Sequence, residues 1–268
     1  LANQALKRKE AKKMDLTKIE KTTDEKPPRI VVYGPGGIGK SSFAADAPNV
    51  LFADVENGLD GIESAKQSIN EWQDMLDLIT ALHEQEHDFQ TLAVDSIDWL
   101  EALIHKQVAS EHNADSVDAI PYGKGFGFAL DLWDQFLTGM TSLRDNKGMT
   151  IIFIAHDQIK KYNDPTMDSY DRYSLKLHDK ASARVFEWAD AVLFAHKKIR
   201  IEKEEQGFNK KTSKAKDMGD LRVMQTVDSA AFQAKHRASL SLPNEIPLSW
   251  DDFIANIGAK PTNQKEKK

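Results

Sequence analysis

At 268 residues the chain is long enough for one large α/β domain with tails, and at 40% hydrophobic and 29% charged residues it can build a core and stay in solution. A net charge of −6 excludes a wholesale basic surface, so any nucleic-acid contact must rest on local patches. The absence of cysteine excludes disulfides and thiolate metal sites and fits a reducing cytoplasm; with no apolar run near the ~18 residues of a span and no apolar signal core, we expect neither a membrane helix nor standard export.

Residues 1–27 are rich in lysine and glutamate and end in Pro27-Pro28, a composition that predicts a disordered arm. A domain is expected over 28–258, with a second disordered tail at 259–268. Ile30-Val31-Val32-Tyr33 reads as a buried strand, and Ser41-Ser42-Phe43-Ala44-Ala45 as the opening of a helix over 40–47. Between them stands Gly34-Pro35-Gly36-Gly37-Ile38-Gly39-Lys40-Ser41, a complete G-x-x-x-x-G-K-[ST] phosphate loop. A triphosphate can be surrounded by backbone N–H groups only where side chains stay clear, which the glycines allow. Lys40 can then reach the β- and γ-phosphates, the Ser41 hydroxyl can ligate Mg²⁺, and 34–42 form the nucleotide cradle with Ser42.

Further along, continuous apolar strands are predicted at 50–54, 91–95, 150–155 and 191–195. Helices are predicted at 69–84, 97–112, 126–145 and 179–187. This alternation means a mostly parallel, doubly wound sheet with helices on both faces. The strand Thr91–Asp95 ends in an acid of the kind that holds Mg²⁺ in phosphate-loop proteins, and we expect it to lie beside the phosphate-loop strand. Asp54-Val55-Glu56 places two acids at another strand end. A carboxylate there can orient and partly deprotonate water, and Glu56 is the candidate, with Asp54 either supporting the site from behind or structural. Residues 197–220 read as a mobile loop or an exposed hairpin. A strand follows at 221–227, and Ser249-Trp250-Asp251-Asp252 opens a capped terminal helix.

The phosphate loop, Asp54-Val55-Glu56 with Gly58-Leu59-Asp60, and Val94-Asp95-Ser96 together resemble the RecA-like P-loop ATPases. The resemblance runs over about 29–240. It implies ATP and Mg²⁺ as cofactors, Glu56 as the activator of the attacking water and His156, at the end of its strand, as a γ-phosphate sensor where the family often has glutamine. Ala234-Lys235-His236-Arg237 resembles the family's Lys-x-Arg element, in which two cations reach a neighbouring subunit's nucleotide; no other arginine presents itself in cis. The size and ending look similar to phage-encoded nucleotide-binding ATPases of the single-strand annealing and recombination type. That implies a bacterial host cytoplasm, a homo-oligomer in a ring or short filament, and single-stranded DNA and a single-strand DNA-binding protein as partners.

Two loops would border the DNA path. One is 121–127, with Lys124 and flexible glycines. The other is 157–178, with Lys160, Lys161, Tyr162, Tyr170, Arg172, Tyr173 and Lys176, where cations and aromatic faces suit single strands. The stretch 197–216, with eight Lys/Arg against three Glu, is a third candidate. Two rival functions stay open: a ring helicase-like motor, and a nucleotide-gated module that hydrolyses ATP slowly and recruits a partner.

Overall fold

The computed structural model describes residues 26–163, 165–166, 168–206 and 210–257. All but residues 26 and 27 of the expected disordered arm, and the whole expected tail at 259–268, lie outside the described residues. Chain order begins β1 (Arg29–Gly34), α1 (Lys40–Ala45), β2 (Val50–Asp54), β3 (Ala65–Ser68), α2 (Trp72–Glu84), β4 (Thr91–Asp95) and α3 (Ile97–Glu111). Next come two short 3-10 turns, α4 (Lys124–Lys147), β5 (Thr150–Tyr162), β6 (Tyr170–Leu175) and α5 (Asp179–Trp188). The chain closes with β7 (Ala191–Gln206), β8 (Lys210–Gln225), β9 (Lys235–His236), β10 (Glu245–Pro247) and α6 (Trp250–Asn256).

The strands form one sheet in the order β10-β8-β7-β1-β5-β4-β2-β3, with β6 added to β5 and β9 to β7. From β3 to β7 all neighbours are parallel, and β8 and β10 then run antiparallel to theirs. This is the doubly wound, mostly parallel α/β sheet that the alternating pattern predicts. Its strands are apolar on both sides because both faces are covered. Val31 and Tyr33 belong to the core shared with α2, α3, α4 and α5, which includes Trp133 and Phe136. Ile30 and Val32 belong to the core on the other face, with Phe43 of α1 and with Trp250 and Phe253 of α6. Burying these aromatic side chains contributes about 2–3 kcal/mol each by area. Ser249 caps α6 as predicted, its Oγ accepting from Asp252 N at 3.3 Å.

Three expectations change. The Asp95 strand is not beside β1: β5 lies between them, paired in parallel with both. Residues 121–127 are not a flexible loop but a 3-10 turn running into the first turn of α4. There a Cβ on Gly125 would lie 2.2 Å from Val117 O. Much of 157–178 is not a loop either, since β5 continues to Tyr162 and turns back antiparallel as β6. The stretch 197–220 takes the hairpin form of its two predicted alternatives, as the antiparallel arms of β7 and β8.

Candidate functional site

Parallel strands in register end at one level, and that places the site. Gly34 is opposite His156, Asp95 is opposite Ile154, two residues before His156, and Asp54 is opposite Asp95. The carboxyl ends of β1, β4 and β2 therefore meet beside Ile154–His156 of β5, which runs on past them, at the edge where ligands gather in such sheets. A cavity of about 460 Å³ opens there, lined by the phosphate loop together with Glu56, Asp60, Asp95, His156 and Arg222.

Gly34 must be glycine because β7 crowds it. A Cβ there would sit 2.2 Å from Ala195 O. Beyond the loop, Lys40 is buried, and its Nζ donates to Gly34 O and Pro35 O, both at 2.9 Å. Burial lowers the ammonium pKa, with the nearby carboxylates of Asp95, Asp157, Asp98 and Glu56 opposing. A buried ammonium satisfied by two neutral carbonyls is an electrostatic demand for an anion. Next to it the Ser41 hydroxyl donates to Asp95 Oδ2 at 2.6 Å. Burial raises the Asp95 pKa, and the Ser41 hydrogen bond partly offsets this. A hydroxyl and a carboxylate in contact form a hard-oxygen donor set of the kind Mg²⁺ takes alongside phosphate and water. The residues present therefore fit a magnesium nucleotide, and Ser41 and Asp95 would hold the ion. Once bound it would neutralise phosphate charge.

The end of β2 is fixed by β4, as the N–H groups of Val55 and Glu56 both donate to Asp95 O, at 2.8 and 3.2 Å. That presents the Glu56 carboxylate to the cavity, and the Ser96 hydroxyl donates to its Oε2 at 3.2 Å. The Asp95–Ser96 peptide bond is cis. Asp54, two residues earlier, is fully buried and ion-paired to Lys66 of β3 at 3.0 Å, the structural one of its two expected places.

His156 lines the same cavity. Asp98, on the first turn of α3, accepts from its backbone N–H at 3.0 Å and contacts its Nδ1 at 3.0 Å through Oδ2. With Nδ1 engaged, Nε2 is the ring nitrogen left for a ligand. The Asp98 hydrogen bond raises the His156 pKa against the effect of burial. Conversely, burial would raise the Asp98 pKa, but the hydrogen bonds from His156 outweigh it and hold the value low.

Lys235 and Arg237 are not brought to this site. β9 pairs with the start of β7, and Arg237 Nε binds Asp190 Oδ1 at 2.8 Å. Asp190 also grips Arg29, the first residue of β1, at 2.9 Å. Arg237 thus stands at the opposite end of β1 from the phosphate loop, about 17 Å along the strand. Lys235 Nζ lies 4.9 Å from the centre of the Phe186 ring and donates to Glu187 O at 3.3 Å.

The arginine that does reach the loop is Arg222 of β8, whose Nη1 donates to Ile38 O at 3.1 Å. The expectation of no further arginine in cis is therefore corrected. Ser96, Asp98 and Arg222 carried no sequence signal of their own beyond lying next to recognised residues or on a predicted strand.

Comparison with known proteins places this arrangement in context. No curated protein matches the chain. Among solved structures it is similar to the crystal structure of the RadB recombinase, at 14% identity and a TM-score of 0.44, over 79% of this chain and 83% of that one. A family model described as an AAA domain matches residues 26–238, from just before β1 to just past β9. Most of the chain, including every loop that builds the cavity, thus falls within one family, and the protein belongs to the AAA-domain family of P-loop ATPases.

Proposed function

We propose that the protein binds ATP with Mg²⁺, hydrolyses it with Glu56 as the activating base, and couples the cycle to single-stranded DNA in recombination, annealing or replication. The observation that carries the hydrolytic reading is the meeting of Lys40, the hydrogen-bonded Ser41–Asp95 pair and the Ser96-oriented Glu56 around one cavity. Lys40 and the loop amides hold the phosphates. Glu56 accepts a proton from water as it attacks, and His156 offers Nε2 to the transferring group. In this reading Lys235 and Arg237, remote from their own cavity, act on the nucleotide of a second copy in a homo-oligomer.

The DNA reading rests on the β5–β6 hairpin, in which β5 continues beyond His156 to Tyr162. Tyr162 and Tyr170 pair at 5.4 Å, and the Arg172 guanidinium lies 5.5 Å from the centre of the Tyr162 ring. Such aromatic and cationic faces suit stacked bases and phosphates.

One observation favours the second reading, a nucleotide-gated module that recruits a partner. Two of the hairpin's cations are already committed, Lys160 to Asp179 and Arg172 to Asp228. The deciding experiment is the ATPase rate with and without single-stranded DNA, read beside the oligomer mass. Stimulation by DNA in an oligomer supports the first reading. Near-zero turnover, unchanged by DNA but with ATP binding intact, supports the module.

A further inference from the structure

Arg222 is held in two ways at once. Its Nη1 rests on the phosphate loop through Ile38 O, close enough that a Cβ on Gly39 would lie 3.1 Å from it. Its Nε and Nη2 grip the two carboxylate oxygens of Asp220 at 3.2 and 2.7 Å. Asp220 is also paired with Lys197 at 3.2 Å.

The cavity's charge balance makes this arginine consequential. Glu56, Asp60 and Asp95 line it, and Arg222 is the guanidinium that joins Lys40 against them. A polyphosphate entering there brings more negative charge and draws the nearest mobile cation. Asp220 and Arg222 are both substantially exposed, at 62% and 38% of their side chains, and exposed ion pairs hold little energy. A planar fork that can place two donors on one phosphate makes shorter, stronger bonds. The backbone carrying Asp220 is also free of regular pairing. The β7–β8 ladder passes from Lys197↔Arg222 to Ile199↔Asp217, leaving four residues opposite Lys198 alone, and Gly219 has φ 82°.

We propose that Arg222 is a nucleotide-binding residue supplied by the same chain, which exchanges its contacts with Asp220 and the Ile38 carbonyl for a phosphate of the bound nucleoside triphosphate. This rests on the nucleotide site proposed above. Asp220 is then a competitor for the arginine, and the bulge that carries it is where occupancy of the site is passed to the β7–β8 hairpin.

The rival role is a static strap on the loop, and the sign of one substitution separates the two. Binding of fluorescently labelled ATP and ADP is measured on wild type, Arg222→Ala, Arg222→Lys and Asp220→Asn, with Lys40→Ala as control. Arg222→Ala should weaken ATP binding about 10- to 100-fold, the loss expected for charge-assisted hydrogen bonds to phosphate. Arg222→Lys should recover part of it. Asp220→Asn should tighten ATP binding, because the competitor is gone. Equal ATP affinity in Arg222→Ala overturns the proposal, and so does weakening by Asp220→Asn of ATP and ADP alike, which marks a strap. If Lys40→Ala binds as wild type does, the underlying site reading fails, independently of Arg222. Asp220→Asn, at an exposed position, keeps the test available should Arg222→Ala misfold.

Discussion

Adjacent roles at the site separate by substitution. Lys40 holds charge in the ground state, so Lys40→Ala should abolish tight ATP binding. If Glu56 acts on water as proposed, Glu56→Gln should keep ATP binding and stop turnover, a barrier increase on the order of 2–4 kcal/mol for one lost oriented group. Equilibrium binding and steady-state hydrolysis on both variants check this, and full turnover by Glu56→Gln removes its catalytic role. The Asp98–His156 pair brings a pH dependence. The raised His156 pKa gives stability that is complete below the ordinary histidine value of about 6.5 and is lost as pH rises through the folded-state value. The lowered Asp98 pKa gives stability that is lost as pH falls through its own folded value. Asp98→Asn should therefore flatten the urea-unfolding profile at both ends. An unchanged profile would show that the pair carries no linkage. Lys40, Ser41, Glu56 and Asp95 were legible in the sequence because each sits at a fixed offset from an apolar strand. Arg222 was not, because its contact with Ile38 spans 184 residues and no local pattern marks it.

At the scale of elements, strands with unbroken apolar runs were read to within a residue or two at their starts, since burial on both faces leaves a signal that does not depend on partners. β3 was missed for the opposite reason: Ala65–Ser68 is an edge strand with no buried residue, recruited by pairing with β2 and not by its own side chains. The glycines of 121–127 misled because glycine signals freedom in sequence, whereas Gly125 is close-packed and Gly127 lies within α4. Two of them test this with opposite signs. Gly125→Ala drives a Cβ to 2.2 Å from Val117 O and 2.8 Å from Val117 Cγ2, so we expect a loss of about 1–3 kcal/mol. Gly127→Ala, on the same helix with nothing within 4 Å of its Cβ, should gain roughly 0.5–1 kcal/mol from helix propensity. Chemical denaturation of both variants is the measurement. Equal effects would mean that the turn relaxes around the added methyl.

For the whole molecule the governing quantity is its charge of −6, which repels DNA everywhere except at local patches. Binding to a labelled oligonucleotide, followed by anisotropy with ATP present, should weaken with salt by a logarithmic slope of about −0.7 per phosphate contact. Lys124→Ala and Lys160→Ala/Lys161→Ala should reduce both affinity and slope. Because Lys160 is already paired with Asp179, Lys161 should account for most of the second effect. No binding by wild type at low salt with any nucleotide would remove the DNA reading. Binding unaffected by these substitutions would move the path to 197–216.

The position of β1 also sets a timetable. Its two neighbours begin at Thr150 and Ala191, so the strand that carries the phosphate loop is emitted well before either of them. With translation at roughly 5–20 residues per second, β1 waits several seconds on the ribosome with both hydrogen-bonding edges open. Nucleotide cannot guide that early period, since its cradle does not yet exist; it can only tighten the finished sheet by mass action. A nascent chain arrested before Ala191 keeps one edge of this apolar strand exposed, the condition under which strands pair with the wrong molecule.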